Sequence, residues 1–228
     1  MPDRKPNYRV SGLVEMLGSA NAAELLAVGM ERRLPAHSVL FHEGDPGDRF
    51  VVLLEGRVKA VSWSVDGREI LLNVQGPGES MGLPSAIDGG GRSASVVAIE
   101  PVRYISITTE QFRAFVGSHP ELAFVFMRDL VNSFRRTNRK QVEFGSLGTL
   151  GRVARQLAVL AEDFGDAIED GYGIDLPLSH QDLANWTGSS REAVGKAMQQ
   201  LERLGYVRAA GRKRIDVLNL EGLRVVGD

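Results

Sequence analysis

The fold is decided by one stretch, Leu178-Ser179-His180-Gln181-Asp182-Leu183-Ala184-Asn185-Trp186-Thr187-Gly188-Ser189-Ser190-Arg191-Glu192-Ala193-Val194-Gly195-Lys196. Ser179, with Asp182 at the third helical position, is a helix start signal; Gly188 is a stop, and Ser189 or Ser190 caps a second helix. Two helices joined by a three- to four-residue turn containing glycine make a helix-turn-helix. Taking about 100° per residue, Val194, Ala197, Met198, Leu201 and Leu204 fall on one side of the second helix. Arg191, Glu192, Lys196, Gln199 and Arg203 fall on the other. Arg191 can take guanine O6 and N7 together, Glu192 can accept from cytosine N4, and Lys196 can reach another guanine or a phosphate.

Downstream, Leu204-Gly205-Tyr206-Val207-Arg208, Gly211-Arg212-Lys213-Arg214 and Ile215 to Leu218 read as a β-hairpin with a basic tip. Placed directly after the recognition helix, it is a wing whose cations Arg212 and Lys213 would lie against phosphate. Residues 191–214 hold seven bases and two acids, a local charge of +5 in a chain of formal charge -2. Six acids between Glu162 and Asp175, with no base among them, offset that patch and read as a solvated surface loop.

Upstream, turn signals recur about every 11 residues between 39 and 107, from Gly44-Asp45-Pro46-Gly47 to Glu100-Pro101. The short segments between them are rich in β-formers: Phe50 to Leu54, Val58 to Trp63, Ile70 to Val74, Val96 to Ile99 and Tyr104 to Ile107. That spacing predicts a small antiparallel barrel or sandwich. After Thr108 the period becomes helical, and Pro120 opens a long helix. Ala123, Met127, Leu130, Phe134, Thr137, Gln141 and Phe144 follow steps of four and three along it, with Arg128, Arg135, Arg136, Arg139 and Lys140 outside the stripe. A seam sustained for three heptads predicts a helix shared by two chains. Gly145-Ser146-Leu147-Gly148 breaks it, so the 228 residues divide into 1–145 and 146–228.

Composition narrows the function. Without cysteine, disulfides, thiolate nucleophiles, Cys-based zinc sites and Cys-ligated iron–sulfur clusters are excluded. The sequence carries no Gly-x-x-x-x-Gly-Lys loop and no nucleophile paired with a base at recognisable spacing, so neither an enzyme nor a metal site is expected. No segment approaches the 18 apolar residues of a membrane span, and Asp3, Arg4, Lys5 and Glu15 interrupt any signal-peptide core. The expected compartment is the cytoplasm.

The chain resembles the cyclic-AMP receptor protein and fumarate–nitrate regulator (Crp/Fnr) family of transcription factors over nearly its whole length. Ser190-Arg191-Glu192-Ala193-Val194-Gly195-Lys196 is the most specific element. The resemblance implies an α+β architecture: an N-terminal antiparallel, jelly-roll-like cyclic-nucleotide-binding β-roll, a long dimerisation helix and a C-terminal winged helix-turn-helix. It also implies a homodimer on an inverted-repeat operator with TGTGA-like half-sites, phosphate contacts from Ser179 and Gln181, and RNA polymerase as a further partner. Family members usually have Arg where Lys196 stands; Lys keeps the charge and loses the bidentate fork.

The family's phosphate cassette ends in Arg-Ser-Ala or Arg-Thr-Ala, matched here by Arg92-Ser93-Ala94 after Gly78-Glu79-Ser80-Met81-Gly82-Leu83. Arg92 is thereby expected to pair with a cyclic phosphate, aided by Ser93 and nearby amides. Leu83 replaces the family's ribose-binding Glu, and the interval from Gly82 to Arg92 is one residue short. Thr137 and Asn138 align with the residues that contact the purine, Asn138 reaching across from the partner chain. No prosthetic group is expected; the candidate effectors are cyclic AMP, cyclic GMP and cyclic di-GMP. A regulator without an effector, and a nucleotide-sensing module that docks a protein, remain open alternatives.

Overall fold

A computed structural model describes residues 12–175, 178–211 and 214–226. Two short helices, α1 (Leu13–Leu17) and α2 (Ser19–Val28), lead into eight strands. These are β1 (Met30–Leu34), β2 (Val39–Phe41), β3 (Arg49–Glu55), β4 (Val58–Trp63), β5 (Glu69–Gln75), β6 (Ser80–Met81), β7 (Ser95–Ala98) and β8 (Val102–Thr108), with α3 (Leu83–Asp88) between β6 and β7. They pair antiparallel as two four-stranded sheets, ordered β1-β8-β3-β6 and β2-β7-β4-β5. All five strands read from the sequence are present; β1, β2, β6 and α3 are additions.

Strand β3 is apolar without alternation because both of its faces are covered. Phe50 and Val52 face a cluster with Leu13, Leu25, Phe112 and Phe126, whereas Val51 and Leu53 pack with Phe41, Met81 and Val96 of the roll. Gly56, Gly67 and Gly78, 11 residues apart, all have positive φ (76°, 76° and 86°), which a side chain would strain. The sequence period that marked the strands is thus the period of their turns.

Helix α4 (Thr109–Ser118) opens with a capping box in which the Thr108 hydroxyl and the Gln111 side chain satisfy each other's backbone N–H groups. A 3-10 turn at Pro120–Leu122 precedes the 24-residue α5 (Ala123–Ser146). Its exposed apolar residues are Phe124, Met127, Val131 and Phe134, at 72, 47, 46 and 65% exposure, with Val142 and Phe144 further on. Leu130, expected in the seam, packs against the roll, and Ala123 is half-buried. The unpartnered stripe therefore keeps Met127 and Phe134 of the expected seam and takes Phe124, Val131 and Asn138 in place of Ala123, Leu130 and Thr137.

The helix runs through Gly145 and breaks only at Leu147-Gly148, after which α6 (Thr149–Phe164) begins. The stretch expected as an acidic loop folds into a hairpin, β9 (Asp166–Ile168) and β10 (Gly171–Asp175), since Ala167, Ile168, Tyr172 and Ile174 flank the Glu169-Asp170 turn. Then come α7 (His180–Thr187), α8 (Arg191–Arg203), β11 (Val207–Ala209), β12 (Arg214–Val217) and α9 (Leu220–Val226), with sheet order β11-β12-β10-β9. The N- and C-terminal parts do not keep separate cores. Val61, Leu71, Val74 and Ile99 of the roll join one cluster with Leu157, Leu183, Trp186 and Met198. Among the described residues no helix is long and apolar enough to cross a membrane.

Candidate effector cavity and nucleic-acid interface

A cavity of about 250 Å³ lies between the β-roll and α5. Gly82, Arg92, Ser93, Ala94 and Thr137 of the expected effector set line it, together with Arg136 and Lys140. The Arg92 side chain is 3% exposed. Its Nη1 donates to the Gly82 carbonyl at 3.0 Å and its Nη2 to the Arg49 carbonyl at 2.6 Å, while the guanidinium lies over the Phe41 ring at 3.9 Å. Asp48 is 3.5 Å away and largely in solvent. Burial pulls the Arg92 pKa down, and its Nε is buried with no partner. A guanidinium held by neutral carbonyls keeps its positive charge for whatever enters beside it. No carboxylate is among the residues lining the cavity.

Leu83 does not line the cavity. At 2% exposure it is a core residue at the start of α3, packed with Phe50, Ala86 and Phe126. Its exposed edge borders the smaller neighbouring cavity around Glu79 instead, so Leu83, expected beside the effector, lies next to the effector cavity without lining it. Asn138 also stays outside, exposed on the unpartnered stripe of α5, while the Thr137 hydroxyl donates to the Ser133 carbonyl at 3.2 Å. Arg136 and Lys140, read from sequence as charges beside a seam, turn into the cavity instead. The signal was present in the helical period, because Ser133, Arg136, Thr137 and Lys140 share a face at i, i+3, i+4 and i+7.

A smaller neighbouring cavity holds Glu79, Ser80, Asp129 and Arg136. Burial raises the Glu79 carboxyl to about 7, against the N–H of Gly76 and the Arg136 guanidinium 3.9 Å away. Burial likewise raises Asp129, which accepts the Ser80 hydroxyl at 2.8 Å.

At the other end of the chain, α7 starts where the sequence places it: the Ser179 hydroxyl accepts from Asp182 N and donates to its carboxylate, and Gly188 closes the helix at φ 60°. The Ser190 hydroxyl accepts from Ala193 N and caps α8. Val194, Ala197, Met198 and Leu201 are buried, whereas Arg191, Glu192, Lys196, Gln199 and Arg203 are exposed on one face. Leu204, assigned to the inner side, lies past the helix end at 47% exposure. The Glu192 carboxyl is held below its ordinary range by its own backbone amide and then by the Ser190 hydroxyl. Gln181 is exposed and donates to the Asn185 side chain at 2.8 Å.

The wing hairpin pairs Val207 with Val217 and Ala209 with Ile215. Arg212 and Lys213 lie outside the described residues. Sequence counting missed Asp216, 4% exposed, which binds Arg208 at 2.8 Å and Arg214 at 2.9 Å. Both guanidiniums hold its pKa down, Arg214 more strongly. Two of the seven bases counted in the patch thereby share one carboxylate, which offsets one positive charge, and Arg191 and Lys196 are the cations that α8 presents at its start.

Helix α7 docks on β5. Lys59 bridges Glu69 and Asp182, each at 2.9 Å, and Asn185 donates to Glu69 at 3.1 Å. Burial works against the Lys59 charge, but the two carboxylates outweigh it and keep its pKa above the ordinary value. Lys140 donates to the Leu72 carbonyl and lies 5.0 Å from the Trp186 ring.

A capped pair of helices with a polar outer face, packed on a β-roll that contains a cationic cavity, defines a DNA-binding transcription regulator. Comparison with known proteins agrees. The cyclic nucleotide-binding domain family matches residues 31–119 and the Crp-like helix-turn-helix domain matches residues 151–226. The chain is 34% identical over 178 residues to the CRP-like cAMP-activated global transcriptional regulator of Mycobacterium tuberculosis, covering 78% of this chain and 80% of that one. It is 31% identical over 182 residues to the global nitrogen regulator of Synechocystis sp., covering 79% and 80%. The solved structure of FixK2 from Bradyrhizobium japonicum superposes with a TM-score of 0.79 at 20% identity, over 88% of this chain and 98% of that one, a likeness of fold. The chain belongs to the Crp family of transcription regulators, whose members named here are regulators and not enzymes.

Proposed function

We propose that the protein is a homodimer whose affinity for an inverted-repeat operator is set by a phosphate-bearing nucleotide held against Arg92. In this reading residues 1–145 sense the effector and residues 146–228 read DNA. The observation that carries it is Arg92 itself: a buried guanidinium with an unpaired Nε, on the wall of a cavity without a carboxylate. A cyclic phosphate supplies an anion from inside the cavity and an acceptor at once, where Asp48 reaches Arg92 only from the solvent side at 3.5 Å. Gly82, Ser93 and Ala94 border that phosphate, and Thr137 meets the base. Relatives named as cAMP-activated support cyclic AMP as effector. With Leu83 in the core, the family's carboxylate acceptor for a ribose hydroxyl is lost, a loss that bears alike on cyclic AMP, cyclic GMP and cyclic di-GMP, so all three are tried.

The apolar stripe on α5 supports the dimer. Four large side chains at heptad spacing stay in water in the single chain, and a second copy of α5 would cover them. Asn138, on the same stripe, then faces the partner's cavity. Paired α8 helices about one DNA turn apart, roughly 34 Å, call for an inverted repeat. Arg191, Glu192 and Lys196 read base edges, while Ser179, Gln181, Ser190, Arg212 and Lys213 meet the backbone. Action on chromosomal DNA places the protein in the cytoplasm, with RNA polymerase as its onward partner.

The test is calorimetric titration with cyclic AMP, cyclic GMP and cyclic di-GMP, with and without a duplex carrying the operator, repeated over a salt series. One nucleotide should bind and change operator affinity, and affinity should fall steeply with salt as phosphate-bound counterions are released. A flat salt response would overturn the DNA reading; no heat from any nucleotide would overturn the effector reading.

A further inference from the structure

Lys140 stands where three parts of the molecule meet. It lines the effector cavity from α5, donates to the Leu72 carbonyl on β5, and lies 5.0 Å from the Trp186 ring on α7, within cation–π range. Leu72 lines the same cavity. Trp186 is 3% exposed, its Nε1–H buried without an acceptor, so the indole is held by packing and by the ammonium on its face. Glu143, the carboxylate nearest Lys140 on its own helix, is 3.2 Å from Arg155, and Arg136 and Arg92 add positive charge around the cavity. Lys140 therefore makes its close contacts to a carbonyl dipole and a ring quadrupole, with the Glu143 carboxylate offsetting its charge only from beyond ion-pair distance. Burial draws its pKa down to about 8, in keeping with that shortfall.

We propose that Lys140 is a clasp that holds α7 on β5, and that an anion entering the cavity takes over its ammonium and so releases Trp186 and the helix-turn-helix. This rests on the effector reading above. A phosphate oxygen offers Lys140 a full opposite charge, which a neutral carbonyl and an aromatic face do not, and its four-carbon stem can swing without moving α5. Ligand and Trp186 compete for one ammonium, so each weakens the other's hold, and that coupling is reciprocal. The second fastening, Lys59 between Glu69 and Asp182, does not line the cavity. It resists the same movement without touching the ligand.

The chain has two tryptophans, and Trp63 is 51% exposed, so Trp63→Phe leaves Trp186 as the sole emitter. In that background Lys140→Met should shift Trp186 emission to the red before any ligand is added. Cyclic AMP or cyclic di-GMP, whichever binds by calorimetry, should give the unaltered Lys140 protein the same shift and the Lys140→Met protein none. Lys59→Met should tighten binding of that nucleotide by about 5-fold, because docking no longer opposes it. Unchanged emission in Lys140→Met, a nucleotide that binds without moving Trp186, or unaltered affinity in Lys59→Met would each overturn the clasp. Absence of binding by either nucleotide counts against the effector reading, and the ligand-free shift in Lys140→Met then decides the clasp by itself.

Discussion

The cavity and the recognition helix both offer cations to a phosphate-bearing partner, and they are prepared for it in opposite ways. Arg92 is buried, fixed by two carbonyls and an aromatic ring, and its water has already been removed. Arg191 and Lys196 are exposed; what is fixed is the helix beneath them, by Val194, Ala197, Met198 and Leu201. The buried cation has already met its desolvation cost during folding, so one ligand of the right shape gains a strong bond there. The exposed cations stay hydrated and give many moderate contacts, each responsive to salt.

The largest effect that comparison predicts is at Arg92. Arg92→Ala should weaken the effector by about 2 to 5 kcal/mol, the range for losing one partner of a buried charge pair, while non-specific DNA affinity stays as it was. Calorimetry with the responding nucleotide measures the first and anisotropy on a random duplex the second; retained effector affinity would dissolve the contrast. Next comes Arg191→Ala, expected to cost about 1 to 3 kcal/mol on the operator and to relax choice at one base pair. Competition binding with single-base operator variants reads this directly, and unchanged specificity would remove α8 from the major groove.

The smallest effect concerns Glu79, where burial outweighs the Gly76 N–H and the Arg136 guanidinium that favour its charge. Its pKa is near 7 in the folded chain against an ordinary value of 4.5, so the folded state binds the proton more tightly than the unfolded one. Stability from this group is complete below the ordinary value and declines as pH rises from about 4.5 to 7. Glu79→Gln should flatten that decline and stabilise the protein at pH 8 by about 1 to 2 kcal/mol. Thermal melts from pH 5 to 8 give the slope; a variant that melts lower than the parent at pH 8 would mean that the Arg136 pair dominates.

What was legible in the sequence follows the same division. The inner and outer faces of α8 were readable residue by residue, because a helix period is local and its caps, Ser179, Gly188 and Ser190, announce themselves. The strands were readable because glycine turns recur every 11 residues. The cavity was only partly readable. Arg92-Ser93-Ala94 is a contiguous motif, but Arg136 and Lys140 become cavity residues only once α5 lies across β5, and no local pattern reports that packing. Leu83 was placed by resemblance to the family's cassette, and its apolar side chain packs into the core beside Phe50 and Phe126. The hairpin at 166–175 was hidden by its acids, which face water on both strands, while its one buried apolar side chain is Ile174.

The apolar cluster shared by β4, β5, α6 and α7 has a consequence for exchange between relatives. Val61, Leu71 and Val74 are shaped to Leu157, Leu183 and Trp186, so the DNA-reading half is not an interchangeable cartridge. A chimera joined at Leu147-Gly148 would put foreign side chains against this seam and leave Lys59 with Glu69 but without Asp182. The unit that can be transplanted whole is the reading half together with the outer faces of two strands some 80 to 120 residues earlier in the chain.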